Sequence, residues 1–186
     1  INSWVVVGEN RGLFVGAGIG ATTLLEKNPA SFGGLKAIAF NNIFTIAVGD
    51  DASILYTNDG IVWQRVLSIP STKTLHDIIW DGNKFIVVGD QGTILYSTSG
   101  SVNWLKFPAS ISVDLIKIRY EYGVYILLDA AGVLYYSLDL INWVQRDTKT
   151  GSNQPKDLQF IPAPPPPGVP GYISPIETSL GRFVLV

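Results

Sequence analysis

The chain has 186 residues, 47% of them apolar and 15% charged, with a net charge of −2. That length supports one ordinary domain with a buried core. The charge offers no basic face for nucleic acid or anionic lipid, no apolar run nears the roughly 20 residues of a spanning helix, and without cysteine there is neither a disulfide framework nor thiolate chemistry.

The chain opens INSWVVVG, with no initiator methionine, so it reads as processed or as a piece of a longer protein. Residues 14–27, FVGAGIGATTLLEK, then present Gly16-x-Gly18-x-x-Ala21, the spacing of a dinucleotide-binding turn. The cofactor reading fails twice. A helix after the glycines would stop at Asn28-Pro29, and no acid stands about 20 residues further on to hold a ribose hydroxyl.

From residue 35 the chain repeats itself. FNNIFTIAVGDDASILYTNDGIVWQRV at 40–66 matches WDGNKFIVVGDQGTILYSTSGSVNWLKF at 80–107. Phe40, Trp80 and Tyr120 recur at intervals of forty, as do Tyr56, Tyr96 and Tyr136. Gly49 and Gly89 keep the interval, with Leu128 set against them in the next copy. A fainter copy precedes these, with Gly8 forty-one residues before Gly49, and GRFVLV near the end echoes NKFIVV. The units fall near 3–29, 35–68, 74–108 and 114–147, with a partial unit at 172–186.

Each good copy holds four short runs rich in Ile, Val, Tyr, Phe and Trp, separated by Gly, Asn, Asp and Ser turns. Such runs are too short for helices. The second run (WVVV, FIVV, YILL) is apolar at every position, so it needs cover on both faces. Four antiparallel strands per forty residues, with an inner strand buried twice, predict an all-β propeller of four-stranded blades. A β-sandwich would not need the same side chains every forty residues. About four and a half blades are visible; the first lacks its first strand and the last stops after its second, which favours part of a longer ring.

The turn between the third and fourth runs is the most specific motif: Thr57-x-Asp59-Gly60-x-x-Trp63, Ser97-x-Ser99-Gly100-x-x-x-Trp104 and Ser137-x-Asp139-x-x-x-Trp143. It resembles the Asp-box of BNR/sialidase-type propellers. The wider unit is similar to repeats of photosystem II assembly-factor propellers and to those of tailed-phage virion proteins. The acids and hydroxyls suit backbone capping in tight turns, and the tryptophans suit burial against a neighbouring sheet. The motif is therefore read as scaffold.

No catalytic residue is assigned. A sialidase needs converging arginines, and Arg11, Arg65, Arg119, Arg146 and Arg182 show no such grouping. His76 is the single histidine, which leaves no His-built metal site and no cofactor site. Asp50, Asp51 and Asp90 read as turn formers, without the alternation of a calcium loop. Residues 148–171 read as a Pro/Gly-rich insertion whose polyproline stretch, Pro164, Pro165, Pro166 and Pro167, is the candidate partner contact.

The sequence thus predicts a non-enzymatic scaffold whose partners are other protein subunits, with a host glycan or receptor as a further ligand class, and neither nucleic acid nor membrane insertion. The phage resemblance implies a virion component (tail, fibre or capsid-associated), acting in the virion or outside the cell. The alternatives are a soluble assembly factor for a membrane complex, in periplasm or thylakoid lumen, and a glycan-binding or sialidase-like propeller.

Overall fold

The computed structural model describes residues 3–8, 12–17, 25–26, 33–146, 155–161 and 182–185. The leading sheet has three strands, β1 (Ser3–Gly8), β2 (Gly12–Ala17) and β3 (Leu25–Glu26). Three complete antiparallel sheets follow. They are β4–β7 (Leu35–Phe40, Thr45–Gly49, Ile54–Thr57, Gln64–Arg65), β8–β11 (Leu75–Trp80, Phe85–Gly89, Thr93–Ser97, Leu105–Lys106) and β12–β15 (Leu115–Glu121, Val124–Asp129, Leu134–Ser137, Val144–Arg146). A two-stranded sheet closes the set, β16 (Leu158–Ile161) on β17 (Arg182–Leu185). In every complete sheet the strands lie in sequence order, the meander of a propeller blade, so the chain is an all-β, partial β-propeller.

The first strands stand side by side: β4 packs on β8, β8 on β12 and β12 on β16. The second strands lie behind them and explain the apolar runs. Ile46, Ala47 and Val48 are all fully buried, as are Ile86, Val87 and Val88. Alternate residues serve opposite interfaces. Ala47 packs with Leu13, Leu35, Leu55 and Trp63, whereas Ile46 and Val48 join Ile78, Phe85, Val87 and Trp104. Ile86 and Val88 face the other way, onto Leu115, Ile118, Leu127 and Leu140. Burying a side chain of this size contributes roughly 1.5–3 kcal/mol.

Each first strand bulges one residue after its leading leucine, between Leu35 and Ala37, Leu75 and Asp77, and Leu115 and Lys117. There the chain crosses the end of the second strand. Asp50 N–H donates to Gly34 O at 2.9 Å, and Asp90 N–H to Thr74 O at 3.0 Å. A Cβ on Gly49 would lie 2.0 Å from Gly34 O, and one on Gly89 2.1 Å from Thr74 O. Those two glycines recur because a backbone passes over them.

The pairing corrects two expectations. Leu115 pairs with Asp129, as Leu35 pairs with Gly49, so Asp129 and not Leu128 stands in the glycine position. The last unit does not begin at 172. Its first strand is Leu158–Ile161, inside the stretch assigned to the insertion. Phe160 pairs with Phe183 as Trp80 pairs with Phe85, and Asp157 falls where Asp77 does. The residues between the strands of this sheet, 162–181, include Pro164 to Pro167 and lie outside the described residues.

In the leading sheet Gly16 pairs with Trp4, as Ser97 pairs with Phe85. The first glycine of the apparent dinucleotide turn is therefore a strand residue. Gly18 and Ala21 lie outside the described residues.

Candidate functional site

The motif turns are built from their own side chains. In the first, Gly60 N–H donates to Thr57 Oγ1 at 2.9 Å, and Thr57 Oγ1 donates to Asp59 Oδ1 at 2.9 Å. The same carboxylate oxygen accepts from Ile61 N–H at 2.8 Å and Val62 N–H at 2.9 Å. The third turn repeats the pattern: Leu140 N–H donates to Ser137 Oγ at 3.0 Å, and Ile141 and Asn142 N–H donate to Asp139 Oδ1 at 2.9 and 2.8 Å. These amide donors hold both carboxyls below the usual range. The causes are Val62 and Ile61 N–H for Asp59, and Asn142 and Ile141 N–H for Asp139.

The middle turn differs. Ser97 Oγ still accepts from Gly100 N–H at 2.9 Å, but Ser97 and Ser99 hydroxyls both donate to Val102 O, at 2.7 and 2.9 Å. Asn103 is an additional residue in the left-handed region, φ 55°, which is why Trp104 arrives one residue late. Gly60, Gly100 and Leu140 all have positive φ, and Leu140 takes this strained conformation while buried in the core. Trp104 and Trp143 donate from Nε1 to Gly100 O and Leu140 O, at 3.0 and 3.1 Å. Trp63 is buried too, with no hydrogen-bond partner for its Nε1 among the described residues.

Strand direction sends the motif turns and the hairpins between first and second strands to one end of the sheets. That end exposes Phe40, Ile43, Ile61, Val62, Leu138 and Ile141, from 46% at Ile141 to 73% at Leu138, together with Val102 and Tyr122. The opposite end, where second strands turn into third, carries two matching pairs. Lys36 Nζ pairs with Asp50 Oδ1 at 3.3 Å, and His76 Nε2 with Asp90 Oδ1 at 2.6 Å. These are one pair repeated forty residues apart, each linking the bulge residue to the acid after the second strand. Asp50 Oδ2 also accepts from Gly34 N–H at 3.1 Å. His76, Asp50 and Asp90 are thus engaged in local pairs, and no group of three potential metal ligands occurs among the described residues. Large exposed apolar side chains near this end are Leu67 and Val113.

Two open clefts flank the outer strands. One, of about 580 Å³, is lined by Tyr56, Arg65, Leu67, Val102, Asn103 and Leu105, among others. The other, of about 340 Å³, holds Asp51, Arg65, Ile69 and Ser71. Neither brings together a nucleophile, a base and an oxyanion donor.

Sequence reasoning missed the charges among the first strands. Arg119 Nη1 donates to Asp77 Oδ2 at 2.8 Å, and Nη2 to Asp157 Oδ1 at 3.2 Å, spanning three consecutive sheets. Asp77 also accepts from Ile78 and Ile118 N–H, each at 3.0 Å. Burial pushes the Asp77 carboxyl above the usual range, against the opposing pull of Arg119 and the Ile118 amide. A second clamp joins Asp81, Lys84 and Tyr125. Lys84 Nζ and Tyr125 Oη both donate to Asp81 Oδ2, at 2.8 and 2.7 Å. Burial opposes ionisation of Asp81, but these two donors outweigh it and lower its carboxyl; burial and the Asp81 contact raise the Tyr125 phenol. The available signal was charge inside an otherwise apolar strand pattern, which demands a partner.

No family model matches the chain, and no curated protein matches it. Among solved structures it is similar to "YCF48 bound to D1 peptide", at 22% identity and a TM-score of 0.52, over 60% of this chain and 40% of that one. It is similar to YCF48 from Cyanidioschyzon merolae at 20% identity and a TM-score of 0.48, over 60% and 36% of the two chains. The nidogen/laminin complex matches at 13% identity and a TM-score of 0.54, over 77% and 61%. The matched region thus spans about two fifths of the YCF48 chain. At these identities the likeness establishes the propeller fold.

Proposed function

We propose that the chain is a non-enzymatic, protein-binding propeller that grips its partner with the turn end of its blades. The observation that carries this reading is the segregation of exposed apolar side chains, Phe40, Ile43, Ile61, Val62, Leu138 and Ile141, to that end. Rigid capped turns hold them in place, so little ordering entropy is lost on binding. Propellers caught with a peptide or a partner protein, the YCF48–D1 peptide and nidogen/laminin structures, support the partner class. Within that class the assembly-factor reading is the better supported, because a propeller holding a peptide of another protein is the arrangement it needs. The virion reading rests on the form of the repeats alone. The site of action stays with each reading: periplasm or lumen for the first, the particle for the second.

The test is photo-crosslinking from single positions. A photoreactive residue at Val62 or Ile141 should yield crosslinked partner peptides in native extract, and one at Asp51 or Asp114, at the opposite end, should not. Equal crosslinking from both ends, or none from the turn end, would overturn the proposal. The identity of the captured peptides, membrane-complex subunit or structural phage protein, decides between the two readings.

A further inference from the structure

The turn end of the three complete sheets mixes its apolar side chains with unbalanced charge. Asp59 shares its turn with exposed Ile61 and Val62, and Asp139 lies between exposed Leu138 and Ile141. Glu121 ends a first strand beside exposed Tyr122. The middle motif turn is neutral, with Ser99 in the acid position and Val102 exposed. Residues 40–45, 57–63, 80–85, 97–104, 120–124 and 137–143, which make up this end, hold four acids (Asp59, Asp81, Glu121 and Asp139) against one cation, Lys84. Lys84 is taken by Asp81. At the opposite end Asp50 and Asp90 have partners in Lys36 and His76, but no ion pair among the described residues includes Asp59, Glu121 or Asp139.

The two motif carboxylates keep their charge while leaving an oxygen to spare. Thr57 Oγ1 and the Ile61 and Val62 N–H groups all donate to Oδ1 of Asp59. Ile141 and Asn142 N–H likewise donate to Oδ1 of Asp139, whose Oδ2 accepts from Asn142 Nδ2 at 2.7 Å. The amide donors hold both groups ionised. A partner lying over Ile61 and Val62 covers Asp59 as well. Were that partner wholly apolar, it would take an ion out of water with nothing to pair it, which is strongly unfavourable. A cation supplied by the partner removes that cost and adds a charge-assisted hydrogen bond to the remaining oxygen.

We propose that the turn end selects a cationic, amphipathic segment of its protein partner. Lys or Arg of that segment meets Asp59 and Asp139, and its apolar side chains meet Ile61, Val62, Leu138 and Ile141. The neutral middle turn, with Val102, takes the apolar centre of the segment, so the basic residues lie to either side of it. This inference rests on the turn-end reading above and specifies the chemistry of the partner. Charge complementarity of this kind sets partner choice and speeds encounter, while the apolar contacts hold the complex.

The test pans a yeast-displayed library of short random peptides on the immobilised full chain, then measures the enriched peptides by fluorescence anisotropy. The expected winners combine Lys or Arg with aliphatic or aromatic residues and carry net positive charge. Their binding should weaken as salt rises from roughly 0.1 to 1 M, because the screening length falls from about 10 to 3 Å. Val62→Lys sets a like charge for the peptide beside Asp59 and should weaken binding by roughly tenfold or more. Leu67→Lys adds the same charge near the opposite end, at a side chain 93% exposed, and should leave binding unchanged. Val62→Ser, which removes apolar contact without adding charge, separates this proposal from the reading beneath it. Neutral or acidic winners that are weakened by Val62→Ser would overturn the cationic partner and keep the turn end as the binding surface. Cationic winners weakened equally by Leu67→Lys and Val62→Lys would also overturn it, since net charge alone would then explain them. No enriched peptide, or winners indifferent to Val62→Ser, would overturn both.

Discussion

Arg119 Nη1 stands 2.8 Å from Asp77 Oδ2 across the seam between two sheets, and its second nitrogen reaches Asp157 on the next. The Asp77 side chain is 8% exposed, so its charge is retained only with partners in place. Arg119→Met should therefore destabilise the fold. Loss of one partner from a buried pair costs roughly 3–5 kcal/mol, and the partial exposure of Arg119 places this case at the lower end. The double variant Asp77→Asn/Arg119→Met should recover much of the loss, because the uncompensated charge goes. Urea midpoints of the native chain, the two single variants Arg119→Met and Asp77→Asn, and the double variant measure this; a double variant as weak as Arg119→Met would mean that the packing of Arg119, not its charge, matters.

The turn carboxylates predict a pH dependence of the opposite origin. Asp139 titrates below its unfolded value because Asn142 and Ile141 N–H hold its charged form. Its contribution is full above the unfolded carboxylate range, near pH 4, and is lost as pH falls through the depressed value. Asp139→Asn should thus melt below the native protein at pH 7 and converge with it in acid. Asp59→Asn should behave alike, and melting curves from pH 7 to pH 2 check both. A gap that persists at low pH would assign the effect to the hydrogen-bond geometry of the neutral side chain instead.

Much of this fold was legible because propeller packing repeats its demands every forty residues. Phe40 and Trp80 each end a first strand and Tyr120 stands one residue before the end of the next, and the doubly apolar second runs are the doubly buried strands. The Leu158–Ile161 strand escaped because Gln159 interrupts its apolar run and a proline follows it. Asp129 was misaligned because the reading followed apolar likeness, while the ladder follows backbone register. The Arg119–Asp77 link joins residues forty-two apart on different sheets, and sequence spacing within one blade carries no trace of it.

The buried motif tryptophans should differ in cost. Trp104 sits in the core with Ile46, Phe85 and Val87, and its Nε1 is satisfied by Gly100 O. Truncation to alanine should cost about 3–5 kcal/mol, and Trp104→Phe should still lose the hydrogen bond. Trp63 is similarly buried, with no partner for its Nε1 among the described residues, so Trp63→Phe should be closer to neutral in the same denaturation assay.

The crossing backbone makes the sharpest steric prediction. Gly92 has φ +65°, and a Cβ there would fall 1.7 Å from Ile111 O, where the chain passes towards the next sheet. Gly92 N–H also donates to Val113 O at 2.7 Å, and the neighbouring Gln91 N–H to Asp114 Oδ1 at 2.9 Å. Alanine at 92 must move one of these segments or leave the left-handed region, so Gly92→Ala should cost about 2–3 kcal/mol. Gly60 has a similar φ, +72°, but open space around it. Gly60→Ala carries the conformational penalty without the clash and should cost about 1 kcal/mol. Equal losses in the two variants would show that backbone conformation alone sets the cost, and that the crossing at Ile111 yields freely.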